Sequence, residues 1–334
     1  MTDQTLPLPD HPRPAHGRVV GTAKAYPPPA GPDGSAQDES STHYAGPRTP
    51  RRRPRAAPRI TAVIVAAVAL WAVWATWDTF VASPLGQRAD QLALEGAARG
   101  QNTLWELAEP VLGVVSNSFI GLGLAAAVIL ALARGRWWLA VQVAILVGGS
   151  NLTTQVLKHA VLDRPALLDV PRADINTLPS GHTTVAASIA AGLLIAVPRR
   201  WRPVVAVAGA AYTGATGVST LIGQWHRPSD VVAAILVVLA WGAAVCALSS
   251  PSSLDAPQDG PQPGTSGAAA LLLLGAAGTG ALAVGALGSV RGDGWGLPLG
   301  GDLTAYMGGM LGVVAVTLAA FALLLLVRQS TARP

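Results

Sequence analysis

Eight long apolar stretches, at about 60–82, 111–133, 137–158, 181–197, 203–222, 229–248, 268–290 and 304–327, constrain this chain more than any other feature. A helix needs about 20 apolar residues to cross about 30 Å of hydrocarbon, where every backbone polar group must be satisfied internally. Only 12% of residues are charged and 51% are hydrophobic, against about 25% charge in soluble domains. The sequence therefore predicts an all-α fold, a polytopic membrane helix bundle. Small residues recur throughout, including Gly308 and Gly312 four apart, and allow the close helix approach on which packing in lipid depends.

The flanks divide the chain. Residues 1–58 are rich in Pro, Gly, Ser and charge and bury too little to offset chain entropy, so they read as a disordered tail. The tail lacks the apolar core and cleavage site of a secretory signal, and its basic end abuts the first span, which is retained. Residues 59–248 form a six-span core, 249–267 a flexible linker, and 268–328 two additional transmembrane helices. The segment 84–110 mixes Arg88, Asp90, Glu95, Arg99, Glu106 and Glu109 with Leu and Ala, the pattern of an amphipathic helix on the outer surface. The formal charge of +5 would suit nucleic acid, but the arginines sit in the tail and in short connections, where they act as a topology signal. With eight alternating spans, Arg134, Arg136, Arg199, Arg200, Arg202, Arg328 and Arg333 share a side with the tail. That side is cytoplasmic by the positive-inside rule, which puts both termini inside the cell. Trp71, Trp74, Trp77, Trp137 and Trp138 read as interfacial or lipid-facing residues, and lone Cys246 as a packed apolar side chain.

Ionisable groups at membrane depth each cost about 2.5–3.5 kcal/mol on insertion scales, so those retained call for a use. Lys158 is the sole lysine outside the tail, and Asp230 the only acid between Asp174 and Asp255. His159, His182 and His226 all map to the outer ends of spans. Three patterns converge on that face: LKHAVLDRP at 157–165, LPSGHTT at 178–184 and STLIGQWHRPSD at 219–230. Each has a bland explanation alone: a helix cap, a structural His–Asp pair, an interfacial lysine. Their order and common side favour a shared site.

In these patterns the chain resembles the type-2 phosphatidic acid phosphatase family, which shares a helical fold with vanadium haloperoxidases. The family pattern is Lys, six residues, Arg-Pro; then Pro-Ser-Gly-His; then Ser-Arg, five residues, His, three residues, Asp. Pro179, Ser180, Gly181 and His182 match the middle element, and Ser219, His226 and Asp230 the last. Two positions depart. Lys158 and Arg164 are separated by five residues, and the motif arginine after Ser219 is Thr220. One residue turns a helix by about 100°, so Lys158 reaches a shared site only if the chain near Asp163, ahead of Pro165, is non-helical. Arg227, or less favourably Arg172, is the candidate replacement for the lost clamp.

The resemblance implies a lipid phosphatase acting without metal or other cofactor. Lys158, Arg164, Ser180, Gly181 and Arg227 would hold the phosphate, Ser180 and the Gly181 N–H as donors at a helix start. His226 is the implied nucleophile, forming a phospho-histidine, with Asp230 accepting from its other ring nitrogen. His182 is the implied proton donor to the leaving group. An outer-face site suits a lipid phosphate whose tails stay in the bilayer: phosphatidic acid, phosphatidylglycerol phosphate, or a polyprenyl diphosphate such as undecaprenyl diphosphate, towards which the topology tilts. The rival classes are a protein that binds or transports a lipid phosphate without cleaving it, and a phosphotransferase that passes the phosphoryl group to an alcohol.

Overall fold

The computed structural model describes residues 54–114, 135–170, 174–255, 264–291 and 301–333, with isolated helical residues between 122 and 133. The predicted tail up to residue 53, most of the predicted span at 111–133, Arg134, Arg172 and residues 256–263 of the predicted linker lie outside the described residues. The described chain is all-α. Its helices are α1 (Ala56–Phe80), α2 (Pro84–Val114), α3 (Trp137–Val156), α4 (Gly181–Ala196), α5 (Arg202–Ile222), α6 (Pro228–Ala247), α7 (Thr265–Arg291) and α8 (Gly301–Thr331). Six helical stretches are long and apolar enough to cross a membrane, and α4 is a shorter apolar helix. The chain is an integral membrane protein.

α6 is the axis of the bundle. It is apolar on every side because it is enclosed on nearly every side, packing against α1, α3, α4 and α8. α1 and α7 show the complementary pattern: their large side chains face outward (Trp71, Trp74, Leu274, Val284), while small ones such as Ala62, Ala69, Ala283 and Ala286 turn inward. Close approach depends on glycine at two faces of α8. A methyl on Gly309 would lie 2.5 Å from Pro228 Cγ at the start of α6, and one on Gly308 would lie 3.0 Å from Ala286 of α7. α8 also contacts α2 and α5, so the terminal helix pair continues the bundle.

The predicted amphipathic segment forms α2. Its apolar face and several polar side chains are buried against α5, α6 and α8. At the other end, residues 249–255, at the start of the expected linker, are packed. Arg202 of α5 holds Asp255 through two bonds of 2.7 and 2.8 Å, Arg136 donates to the same carboxylate at 3.2 Å, and the Asp255 N–H donates to Ala332 O. Arg202 also donates to Gln329, and Arg328 to Ser253 O, so this end joins α3, α5 and α8 through connection residues.

Candidate active site

The site is built where the α3 exit, the α4 start and the α6 start meet. α3 ends in a single π turn, Leu157–Val161, closed by an i→i+5 bond from Leu162 N to Leu157 O at 2.9 Å. From Leu162 the chain is extended, so Asp163 and Arg164 lie outside any helix, as the shortened Lys158–Arg164 spacing requires. Asn176 seals the turn. Its amide donates to Lys158 O and Leu162 O, and its own oxygen accepts from Leu178 N. Trp77 of α1 donates to Asp163 O at 2.8 Å, so this tryptophan also fixes the loop.

Ser180 is the N-cap of α4, its hydroxyl accepting from Thr183 N, and its own N–H donates to Asp230 O at 2.9 Å. That bond ties the starts of α4 and α6 together. A side chain at Gly181 would point into open space, so the first turn of α4 presents bare backbone at the mouth of the site. The Leu178–Pro179 peptide bond is cis.

α6 begins with Pro228, which suits the first helical position because its missing N–H would be unpaired there. Asp230 Oδ2 accepts from three donors: Arg227 N at 2.9 Å, Thr177 Oγ1 at 2.6 Å and His226 Nδ1 at 3.2 Å. Asp230 is fully buried and His226 nearly so, whereas His182 is exposed. The His182 and His226 ring centroids are 6.1 Å apart, edge to face. Lys158 lies within charge-interaction range of both His182 and Asp230.

Thr220 leaves no cation at its position. Its buried hydroxyl donates to Gly217 O, and its carbonyl accepts from Trp225 N and His226 N, shaping the turn that leads into His226. Gln224 occupies the left-handed region in that turn (φ 55°), uncommon for a side chain of its kind, and donates to Leu94 O of α2. The buried Arg227 guanidinium reaches Gln91 Oε1 at 3.1 Å, and Thr177 Oγ1 and Ile175 O at 3.4 Å. It bridges α2 and the 175–177 segment to the start of α6. Arg164 is buried and lies within charge range of Asp90. Trp225 stacks beside His182 with ring centroids 5.4 Å apart and meets Trp105 of α2 at 6.2 Å, an aromatic wall on the exposed side.

Asn176, Thr177, Gln91 and Asp90 do not emerge from the motif reading. Their only sequence signal is polarity: Asn176 and Thr177 flank the Pro-Ser-Gly-His element, and Asp90 and Gln91 sit in an amphipathic helix whose polar residues look solvent-facing.

A buried imidazole–carboxylate pair, a second imidazole and nearby cations stand at one end of a spanning bundle, and the family comparison supports a membrane phosphatase. Residues 137–252 match the family model of the PAP2 superfamily. The matched region begins at α3 and ends just past α6, so it holds all three motifs and excludes α1, α2, α7 and α8. No curated protein and no solved structure matches the chain.

Proposed function

We propose that this membrane phosphatase hydrolyses the phosphate or diphosphate ester of a lipid at the extracytoplasmic membrane surface, through a phospho-histidine on His226. The observation that carries this reading is Asp230 Oδ2, held by Thr177 and the Arg227 N–H and facing His226 Nδ1. A carboxylate there keeps the proton on Nδ1 and leaves the Nε2 lone pair free to attack phosphorus in line. The phosphoryl oxygens carry the charge of the transition state, and Lys158, Arg164 and the first N–H groups of α4 supply complementary charge and donors. The P–O bond to the lipid breaks as the P–Nε2 bond forms, and His182 gives its proton to the departing oxygen. Water then attacks the phospho-histidine with His182 as base, releasing inorganic phosphate.

The arginines support the extracytoplasmic placement. Arg136, Arg199, Arg202, Arg328 and Arg333 gather around Asp255, one helix length from the histidines along α4 and α6. A phosphate at the headgroup level with tails in the bilayer suits this setting, with a polyprenyl diphosphate the first candidate substrate.

The test is phosphate release by detergent-purified protein from a panel of lipid phosphates in the presence of chelator. Release without added alcohol supports hydrolysis, whereas tight binding without release would make the protein a lipid-phosphate carrier. His182→Ala should lower kcat by roughly 10²–10⁴-fold with lipid substrates and far less with p-nitrophenyl phosphate, whose leaving group needs no proton. Equal losses with both would remove His182 from the acid role. Arg227→Ala should lower kcat/KM by about ten- to a hundredfold if its guanidinium replaces the missing motif arginine. Unchanged kinetics would pass that candidacy to Arg172.

A further inference from the structure

Asp90 is a buried carboxylate on α2, outside the region that matches the family. It accepts from Ser229 Oγ at 2.6 Å and from Ser229 N at 3.2 Å, so it caps the first turn of α6 from another helix. Ser229 lies directly before Asp230, and the neighbouring Gln91 accepts from Arg227. Two consecutive side chains of α2 therefore grip the residues on either side of Pro228. Among the described residues, Asp230 and Arg164 are the charged groups within interaction range of Asp90, and the adjoining pocket is lined mainly by apolar side chains such as Phe80, Ala93, Val232 and Leu287, with Thr76 beside them.

We infer that Asp90 is a positioning residue of the active site, which sets the first turn of α6, and with it the His226–Asp230 pair, while offsetting the charge of Arg164. This inference rests on the phosphatase reading. Burial first, and then the neighbouring Asp230 charge, raise the Asp90 carboxyl to about 6, and its bonds to Ser229 only partly oppose them. A raised carboxyl favours folding below the unfolded value of 3.8, and that contribution is lost as pH rises through about 6. At neutral pH the ionised group therefore costs stability. Asp90→Asn removes the charge at constant shape, so it should not lower the unfolding midpoint at neutral pH.

The experiment uses the full-length protein in detergent and compares wild type, Asp90→Asn, Ser229→Ala and the double variant, measuring kcat with a lipid phosphate, inorganic phosphate affinity by calorimetry, and thermal unfolding. The expected result for Asp90→Asn is a kcat roughly 10- to 100-fold lower, because small misplacements of the nucleophile are costly. Phosphate should bind more tightly, because a negative charge beside Arg164 is gone. Adding Ser229→Ala to Asp90→Asn should cause less loss than the two single effects combined, since both act on the contact between residues 90 and 229. A kcat within about twofold of wild type, or kcat and phosphate affinity falling together with the unfolding midpoint, overturns the inference. A wild type that releases no phosphate from any lipid sinks the phosphatase reading instead. Phosphate affinity then decides the role of Asp90, and an affinity left unchanged by Asp90→Asn overturns it.

Discussion

His226→Ala is expected to abolish phosphate release from every lipid substrate, a loss of about 10⁴-fold or more in kcat, with the fold and phosphate binding retained. The magnitude follows from the proposed division of the reaction into two steps. Without the imidazole no covalent intermediate forms, and the cations alone only hold the phosphate. The fold should survive because, among the described residues, the ring makes one hydrogen bond, to Asp230, whose carboxylate still accepts from Thr177 and the Arg227 N–H. The variant should therefore bind a lipid phosphate and leave it intact, which steady-state kinetics and equilibrium binding on one preparation would show. Residual turnover near the wild-type rate would mean that another group attacks phosphorus.

Asp255→Ala should have the largest effect on stability, about 3–5 kcal/mol, at the far end of the bundle from the chemistry. Arg202 is fully buried, and Asp255 takes its guanidinium through two bonds while also accepting from Arg136. Removing the Asp255 carboxylate takes from the buried Arg202 guanidinium the anion that two of its nitrogens bond. Burial alone would raise the Asp255 carboxyl, but the charges and hydrogen bonds of Arg202 and its neighbours hold it below 3.8. For a depressed carboxyl the stabilisation is present above the unfolded value and is lost as pH falls through the lower, folded one, so acid should mimic the substitution only at the bottom of the carboxylate range. The double variant Arg202→Leu, Asp255→Ala should lose less than the two single losses combined, because the orphaned charge is gone. Thermal unfolding in detergent measures both, and a single variant as stable as wild type would contradict the latch.

Most of the architecture was legible in the apolar runs, because a helix in lipid must carry about 20 apolar residues in sequence. Seven of the eight expected spans correspond to described apolar helices, α4 among them as the short one anticipated at 181–197. The five-residue Lys158–Arg164 gap correctly implied a break in the helix near Asp163, since proline restricts the residue before it. What sequence reasoning could not reach were contacts made by chain entering from elsewhere. Asp90 and Gln91 look like the wet side of an amphipathic helix, and only tertiary packing turns them onto the start of α6. Asp255 likewise sits in a Ser-, Pro- and Gln-rich stretch whose composition says linker, and the arginines of two separate helix starts hold its carboxylate. Local composition reports local preference, and Asp90 and Ser229 are separated along the chain by 139 residues.

The most direct test is a rapid-quench experiment with a lipid substrate labelled in its phosphate, the protein being denatured during turnover and assayed for bound label. The expected result is phosphate attached to residue 226, lost in acid, stable in alkali and absent from His226→Ala. Turnover at the wild-type rate with no protein-bound label, or label persisting in His226→Ala, would contradict a phospho-histidine at this site.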